Sequence, residues 1–133
     1  SISVNATLMD YAGTVSIYDS ADDLILKDIW ATDLDATTVG KLSDNSDASL
    51  VRVTGLADFN AASIALDTTT DADGHKLANV RLTTSAGDAK LKEASGFTFD
   101  GISSIMGDLV VTSTGSILDK ANTDLSVTGL ANL

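Results

Sequence analysis

Aspartate dominates the residues of this chain that could do chemistry. The densest group is Asp67-Thr68-Thr69-Thr70-Asp71-Ala72-Asp73-Gly74. Aspartates two apart before a glycine can offer a hard cation several oxygens around a tight turn. Asp67, Asp71 and Asp73 are therefore the candidate metal ligands, with calcium the ion they suit. An EF-hand is excluded, because the position for its bidentate acid is Val80. The plainer reading of the same string is a solvated turn that uses Asp and Gly for their backbone preferences.

Further acidic pairs are Asp22-Asp23, Asp33 with Asp35, and Asp44 with Asp47. Paired carboxylates can do acid–base work on sugars, but an enzyme of that kind needs a long groove with basic residues to hold its substrate, and Lys and Arg are scattered here. His75 is the only histidine; a histidine-based metal site would have to be completed by aspartates alone. Its place in a turn predicts an exposed bystander. No cysteine is present, and the serines lack a G-x-S-x-G context. The glycines form no phosphate-binding fingerprint. Trp30, Tyr11 and Tyr18 are among only a few aromatics, and the single Trp is expected to serve packing. The chain reads as non-catalytic, with no cofactor beyond possible calcium.

Composition narrows the partners. The 133 residues carry 8 Lys and Arg against 19 acids, a formal net charge of −11, and Glu93 is the only glutamate. Such a balance repels nucleic acid and anionic lipid. Asp, Ser, Thr, Asn and Gly serve turns, whereas Glu-, Lys- and Ala-rich faces serve helices. No apolar run approaches the length of a membrane span. The start, Ser1-Ile2-Ser3-Val4, lacks the character of a signal peptide, so a mature or excised chain is expected.

The elements that must position these residues are strands. Apolar residues alternate by two at Val15 and Ile17, Leu24 and Leu26, Val51 and Val53, Ile64 and Leu66, Phe97 and Phe99, Leu109 and Val111, and Leu125 and Val127. Each pair sits in a short stretch bounded by turn residues, the pattern of a half-buried strand. The best helical candidate, 57–66, is a weak one. No proline interrupts any strand.

The chain also echoes itself. VTGLADF at Val53 returns as VTGLANL at Val127, and GTVSIYDSA at Gly13 as GDAKLKEAS at Gly87, both at an offset of 74. We read one repeat-containing domain over 1–133, with 13–29 echoed by 87–103 and 44–59 by 119–133. An offset of that size divides into three coils of about 25 residues, the scale of a β-solenoid. The fold expected is all-β, a parallel β-helix segment of about five rungs. The alternative is an antiparallel β-sandwich, which also has short strands and frequent turns but no reason to repeat at this offset. The segment 34–49 matches its echo poorly, which predicts a loop or a distorted rung.

VTGLADFNAASIALD from Val53, VRLTTSAGDAKLKEASGFTF from Val80, GDLVVTSTGSI from Gly107 and DLSVTGLANL from Asp124 resemble, in that order, repeats of very large bacterial surface and secreted proteins. These are the filamentous-haemagglutinin-like or autotransporter-like β-helix proteins. The resemblance covers 50–133 well and 13–29 faintly. It implies right-handed parallel β-helix rungs in a long stalk or filament, and export to the cell surface or beyond.

The function expected is a structural or adhesive module of an extracellular repeat protein: a stalk, filament or surface-matrix component. Because VTGLANL stops where its sister copy runs on, the chain is expected to be a piece of a longer solenoid or a unit stacking end to end on itself. A surface glycan or protein receptor is the other expected partner. The alternative function is a calcium-dependent carbohydrate-binding or surface-layer module using the aspartate clusters.

Overall fold

The computed structural model describes residues 2–6, 12–72 and 74–133. They form fourteen strands and, among the described residues, no helix. In chain order these are β1 (Ile2–Ala6), β2 (Ala12–Asp19), β3 (Leu24–Thr38), β4 (Lys41–Asp44), β5 (Val51–Ala61), β6 (Ser63–Leu66) and β7 (Lys76–Thr84). They continue with β8 (Ala89–Glu93), β9 (Phe97–Phe99), β10 (Ile102–Ile105), β11 (Leu109–Ser113), β12 (Ile117–Asp119), β13 (Asp124–Val127) and β14 (Ala131–Asn132). The apolar pairs of the sequence all lie on these strands, and the segment 57–66 is the end of β5 and the whole of β6.

Every described strand pairing is parallel. Parallel strands need a long return path between them, and here that path is the rest of each coil. The antiparallel sandwich is thereby overturned, and the chain is a β-solenoid of about five turns. One column of partners runs Leu24, Leu42, Ile64, Ala89, Leu109, Ala131, one residue per coil. Others stack Ala36, Phe59 and Leu82, or Leu34, Ala57, Val80 and Phe99.

Strand alternation explains the interior. In β4 the burial runs exposed, buried, half-buried, buried, and in β8 Ala89, Leu91 and Glu93 all point in. Fully enclosed Leu24, Leu26, Leu42, Leu66, Leu77, Leu82 and Phe59 fill the bore, each such side chain contributing about 1.5–3 kcal/mol of transfer free energy. Phe97 and Phe99 meet edge to face at 5.0 Å. Toward the C-terminal end Ile117, Leu125 and Val127 are only partly buried, while Leu118 and Leu133 are exposed.

The coils are unequal. Leu24 to Leu42 is the shortest step of the first column and Ile64 to Ala89 the longest. The 74-residue echo does not coincide with this stacking. Three coils carry Leu24 through Leu42 and Ile64 only as far as Ala89. Val53 stacks between Ala31 and Leu77, whereas Val127 stacks on Ile105.

One corner recurs with a clear chemical logic. Where a coil turns into the first column, an aspartate side chain accepts the amide of the coil below. Asp23 takes the Lys41 amide at 2.7 Å, Asp88 the Asp108 amide at 2.9 Å, and Asp108 the Leu130 amide at 2.9 Å. The residue before each capped amide is glycine. A Cβ on Gly107 would stand 2.3 Å from the Asp88 carboxylate and 2.8 Å from the Gly87 carbonyl carbon.

Candidate functional site

The concentrated chemistry of this molecule is inside the bore. Asp44, last residue of β4, follows the strand alternation inward and pairs in register with Leu26. An acid in an apolar column is costly unless its oxygens are satisfied. They are: the carboxylate accepts the amides of Thr68 (3.1 Å) and Thr69 (2.9 Å), the Thr68 hydroxyl, and Nε2–H of His75 at 3.0 Å.

His75 is fully buried, not exposed as its turn context predicts. Gly74 before it has φ +102°, a conformation that favours glycine, and a Cβ there would stand 2.5 Å from the Lys92 carbonyl oxygen. This close approach lets His75 pair with Glu93 of the next coil, its amide donating to the Lys92 carbonyl at 2.9 Å. Nδ1 of the ring accepts the Val51 amide at 3.0 Å. That bond fixes the neutral tautomer, with the proton on Nε2 and directed at Asp44.

The cluster exists because two coils carry extra residues at this corner. Residues 45–50 and 67–72 lie between strands, and much of their backbone pairs outside the ladder. Their polar groups find other partners. Thr70 donates its amide to the Asp47 carbonyl at 2.9 Å, and the Thr69 hydroxyl bonds the same carbonyl at 3.0 Å. Lys92 sets its ammonium on the Asp71 carbonyl at 2.6 Å and reaches that of Thr69 at 3.5 Å. Burial opposes ionisation of Asp44, but the hydrogen bonds from His75, Thr68 and the Thr69 amide outweigh it. The carboxyl is held below its ordinary range.

Glu93 is the second buried acid, fully enclosed. It accepts the amides of Leu77 (3.1 Å), Ser95 (2.9 Å) and Gly96, and the hydroxyls of Ser95 (3.1 Å) and Ser113 (3.3 Å). The only glutamate of the chain is thus a cap for the turn that follows β8.

The acids singled out in the sequence fall elsewhere. Asp67 is exposed just after β6. Asp71 is half-buried, its Oδ1 3.4 Å from the Gly74 amide. Asp73 lies outside the described residues. Among the described residues no three acids or imidazoles converge as a metal centre needs. Asp44 and Asp47 part company: Asp44 points in, while Asp47 stays exposed and caps the Ser49 amide at 2.7 Å. Asp33 accepts the Leu56 amide at 2.8 Å, and Asp35 the Thr37 hydroxyl at 3.3 Å. Trp30 packs under the Arg52 guanidinium, 4.9 Å from the ring centroid.

On the outer face, Arg81 ties coils together, bonding Asp58 at 2.9 Å and the Asp100 carbonyl at 3.2 Å. Burial pushes the Asp58 carboxyl above its usual range; Arg81 opposes this and the neighbouring Asp35 adds to it.

What the buried cluster can do follows from its access. His75 and Asp44 side chains are 0% and 1% exposed, and both ring nitrogens are engaged within the fold. Recesses of 280–380 Å³ on the surface are lined by other residues. The dyad therefore cannot act as a base toward an external substrate; it holds the corner. Sequence reasoning missed it because nothing local marks Asp44 as inward once the loop begins at Asn45. The signal available was the alternation from Leu42 to Asp44.

Parallel coils, apolar columns and aspartate or glutamate caps at the corners define a β-solenoid repeat protein. Residues 12–78 match the family described as Repeats of unknown function (DUF5649), and the chain belongs to that family. The matched span takes in Asp44, Val51, Thr68, Thr69 and His75, and stops short of Glu93. No curated protein and no solved structure gives a significant match. No helix among the described residues is long and apolar enough to cross a membrane.

Proposed function

We propose that this chain is a structural module, a length of solenoid in a bacterial stalk, filament or surface matrix outside the cell. Its work is to extend and to stack. The observation that carries the reading is the first column, which sets one inward residue per coil from Leu24 to Leu109 in unbroken parallel register, with Ala131 paired next in line. Polar groups off the ladder are spent on the same task, since the buried acids cap turns. The apolar end of the stack supports it too: Phe99, Ile117, Leu118, Leu125 and Leu133 line a recess of about 280 Å³. A further coil laid in register there would cover these side chains. In solution a second copy of the chain can supply that coil.

Light scattering across a concentration series tests this. The native chain is expected to grow in mass with concentration, and Leu118→Lys to suppress the growth without loss of β-structure. A chain that stays monomeric throughout while binding a soluble glycan saturably would replace this reading with a carbohydrate-binding one.

A further inference from the structure

We propose that the outward column Trp30, Arg52 and Lys76, with the recess beside it, is a binding site for a carboxylated glycan. The three are register partners on β3, β5 and β7, and their side chains point away from the bore. Two cations thus stand directly opposite one another, about one strand spacing of 4.8 Å apart along the stack, and like charges in register repel. The chain has 19 acids to 8 bases, yet neither cation is in an ion pair. Among the described residues those pairs are Arg81 with Asp58, Lys120 with Asp100 and His75 with Asp44. The acids flanking Trp30 on β3 serve the backbone: Asp28 accepts the Leu50 amide at 3.1 Å and Asp33 the Leu56 amide at 2.8 Å. Arg52 is held instead by the Trp30 ring, whose centroid is 4.9 Å from the guanidinium carbon. A guanidinium stacked in this way keeps its N–H fork at the edge, preorganised for a carboxylate, with the Lys76 ammonium as a second charge beside it.

The recess supplies the rest of the ligand's shape. Lys76 lines a hollow of about 330 Å³ that runs on into one of about 380 Å³, the two sharing Ala78, Ser95 and Gly96. That size is in the range of small-ligand sites, about 300–1,000 Å³. Among the described residues Lys76 is the one charged group on its walls, and no acid lines it. Ala78 and Gly96 add little side-chain bulk, while Thr54, Thr98 and Ser116 add hydroxyls. Hydroxyls beside small apolar surface suit the polar edges and C–H faces of a sugar, and the Arg52–Lys76 end suits its carboxylate. A fatty acid would need a wholly apolar wall, and a free phosphate would need no recess. The net charge of −11 opposes an anion at a distance, but at physiological salt charges beyond about 8 Å are largely screened, so the contact pairs decide. β5 and β7 are each paired on both sides, so the site does not rest on lengthwise stacking. A chain that binds the glycan and never grows would leave the site standing and remove the stalk.

Titration of the full chain with trigalacturonate at physiological salt and neutral pH tests the site. The readouts are the emission of Trp30, the only tryptophan, and the backbone amide shifts. We expect saturation, with the shifts concentrated at Arg52, Thr54, Lys76 and Gly96. Arg52→Gln and Lys76→Gln should each weaken binding about tenfold, the scale of one charge-assisted hydrogen bond. Ala78→Leu, which fills the recess without altering charge, should weaken it to a similar extent. Lys120→Gln, whose ammonium is paired with Asp100 at 2.9 Å, is the control and should bind as the native chain does. Lys76 and Ala78 are exposed, so their variants decide should Arg52→Gln fail to fold. Absence of saturation would overturn the proposal, as would equal binding of maltotriose, which carries no carboxylate. Sulfate moving the same amides to the same extent would reduce the site to a bare anion contact and contradict the glycan. An equal loss in Lys120→Gln would show diffuse charge attraction in place of a site.

Discussion

Asp44 and His75, on successive coils of the solenoid, meet at 3.0 Å in its interior, where Asp44 accepts amides of the loop after β6 and His75 the amide of Val51 at the start of β5. The pair is a conflict between two demands on one column. Leu26 beside Asp44 calls for an apolar residue, and the amides of Thr68 and Thr69 call for an acceptor.

Substitution resolves which demand dominates. Asp44→Leu gains about 1.5–3 kcal/mol of apolar burial, but leaves two amides and the His75 Nε2–H without their acceptor, at about 1–3 kcal/mol for each. We expect Asp44→Leu to be destabilised, and Asp44→Asn, which keeps one acceptor oxygen, by a smaller amount of about 2 kcal/mol. Thermal melts should show the native chain highest and Asp44→Leu lowest. A leucine variant as stable as the native chain would mean that the corner loops find other partners.

The acid limb of the stability profile carries the same signature. Asp44 titrates below its unfolded value, so the folded state favours its ionised form. That stabilisation is complete above the unfolded carboxylate value of about 3.9, and is lost as pH falls through the lower folded value. Urea melts between pH 6 and pH 2 should show a steeper acid loss in the native chain than in Asp44→Asn. Parallel slopes would remove Asp44 from the account.

The glycine corners make a steric prediction. Gly107→Ala must push its Cβ against the Asp88 carboxylate and the Gly87 backbone, and overpacking of this kind costs about 1–3 kcal/mol. Gly13→Ala meets nothing within 4 Å and is the control. Chemical denaturation should separate the two; equal stabilities would show that the coils yield freely at the corner.

Calcium gives the fourth prediction. The Lys92 ammonium already occupies the Asp71 and Thr69 carbonyls, oxygens that a cation at this loop would want. Calcium titration is therefore expected to leave the melting temperature unchanged. A saturating rise, which a ligand of the folded state alone would cause, would establish Asp67, Asp71 and Asp73 as a site.

Much of the fold was legible in the sequence because period-two alternation is a local signal. Leu24 and Leu26, or Phe97 and Phe99, announce inward faces without knowledge of the rest. Coil length was less so: Gly13 and Gly87 share neighbours by type, yet only stacking says which residue lies over which. The buried acids were least legible. Asp44 looks like a surface residue until the loop of the adjoining coil folds over it, and Glu93 until its own turn and the neighbouring strands enclose it. His75 was misplaced for the same reason, since its burial depends on Gly74 packing against Lys92, a contact between coils.

Lengthwise continuation of these coils is what the proposed structural role requires. Electron microscopy of the purified chain at high concentration measures that. We expect rods or filaments with a layer spacing of about 4.8 Å along the axis, the separation of stacked strands. Compact single particles at every concentration, with no lengthwise growth, would contradict it.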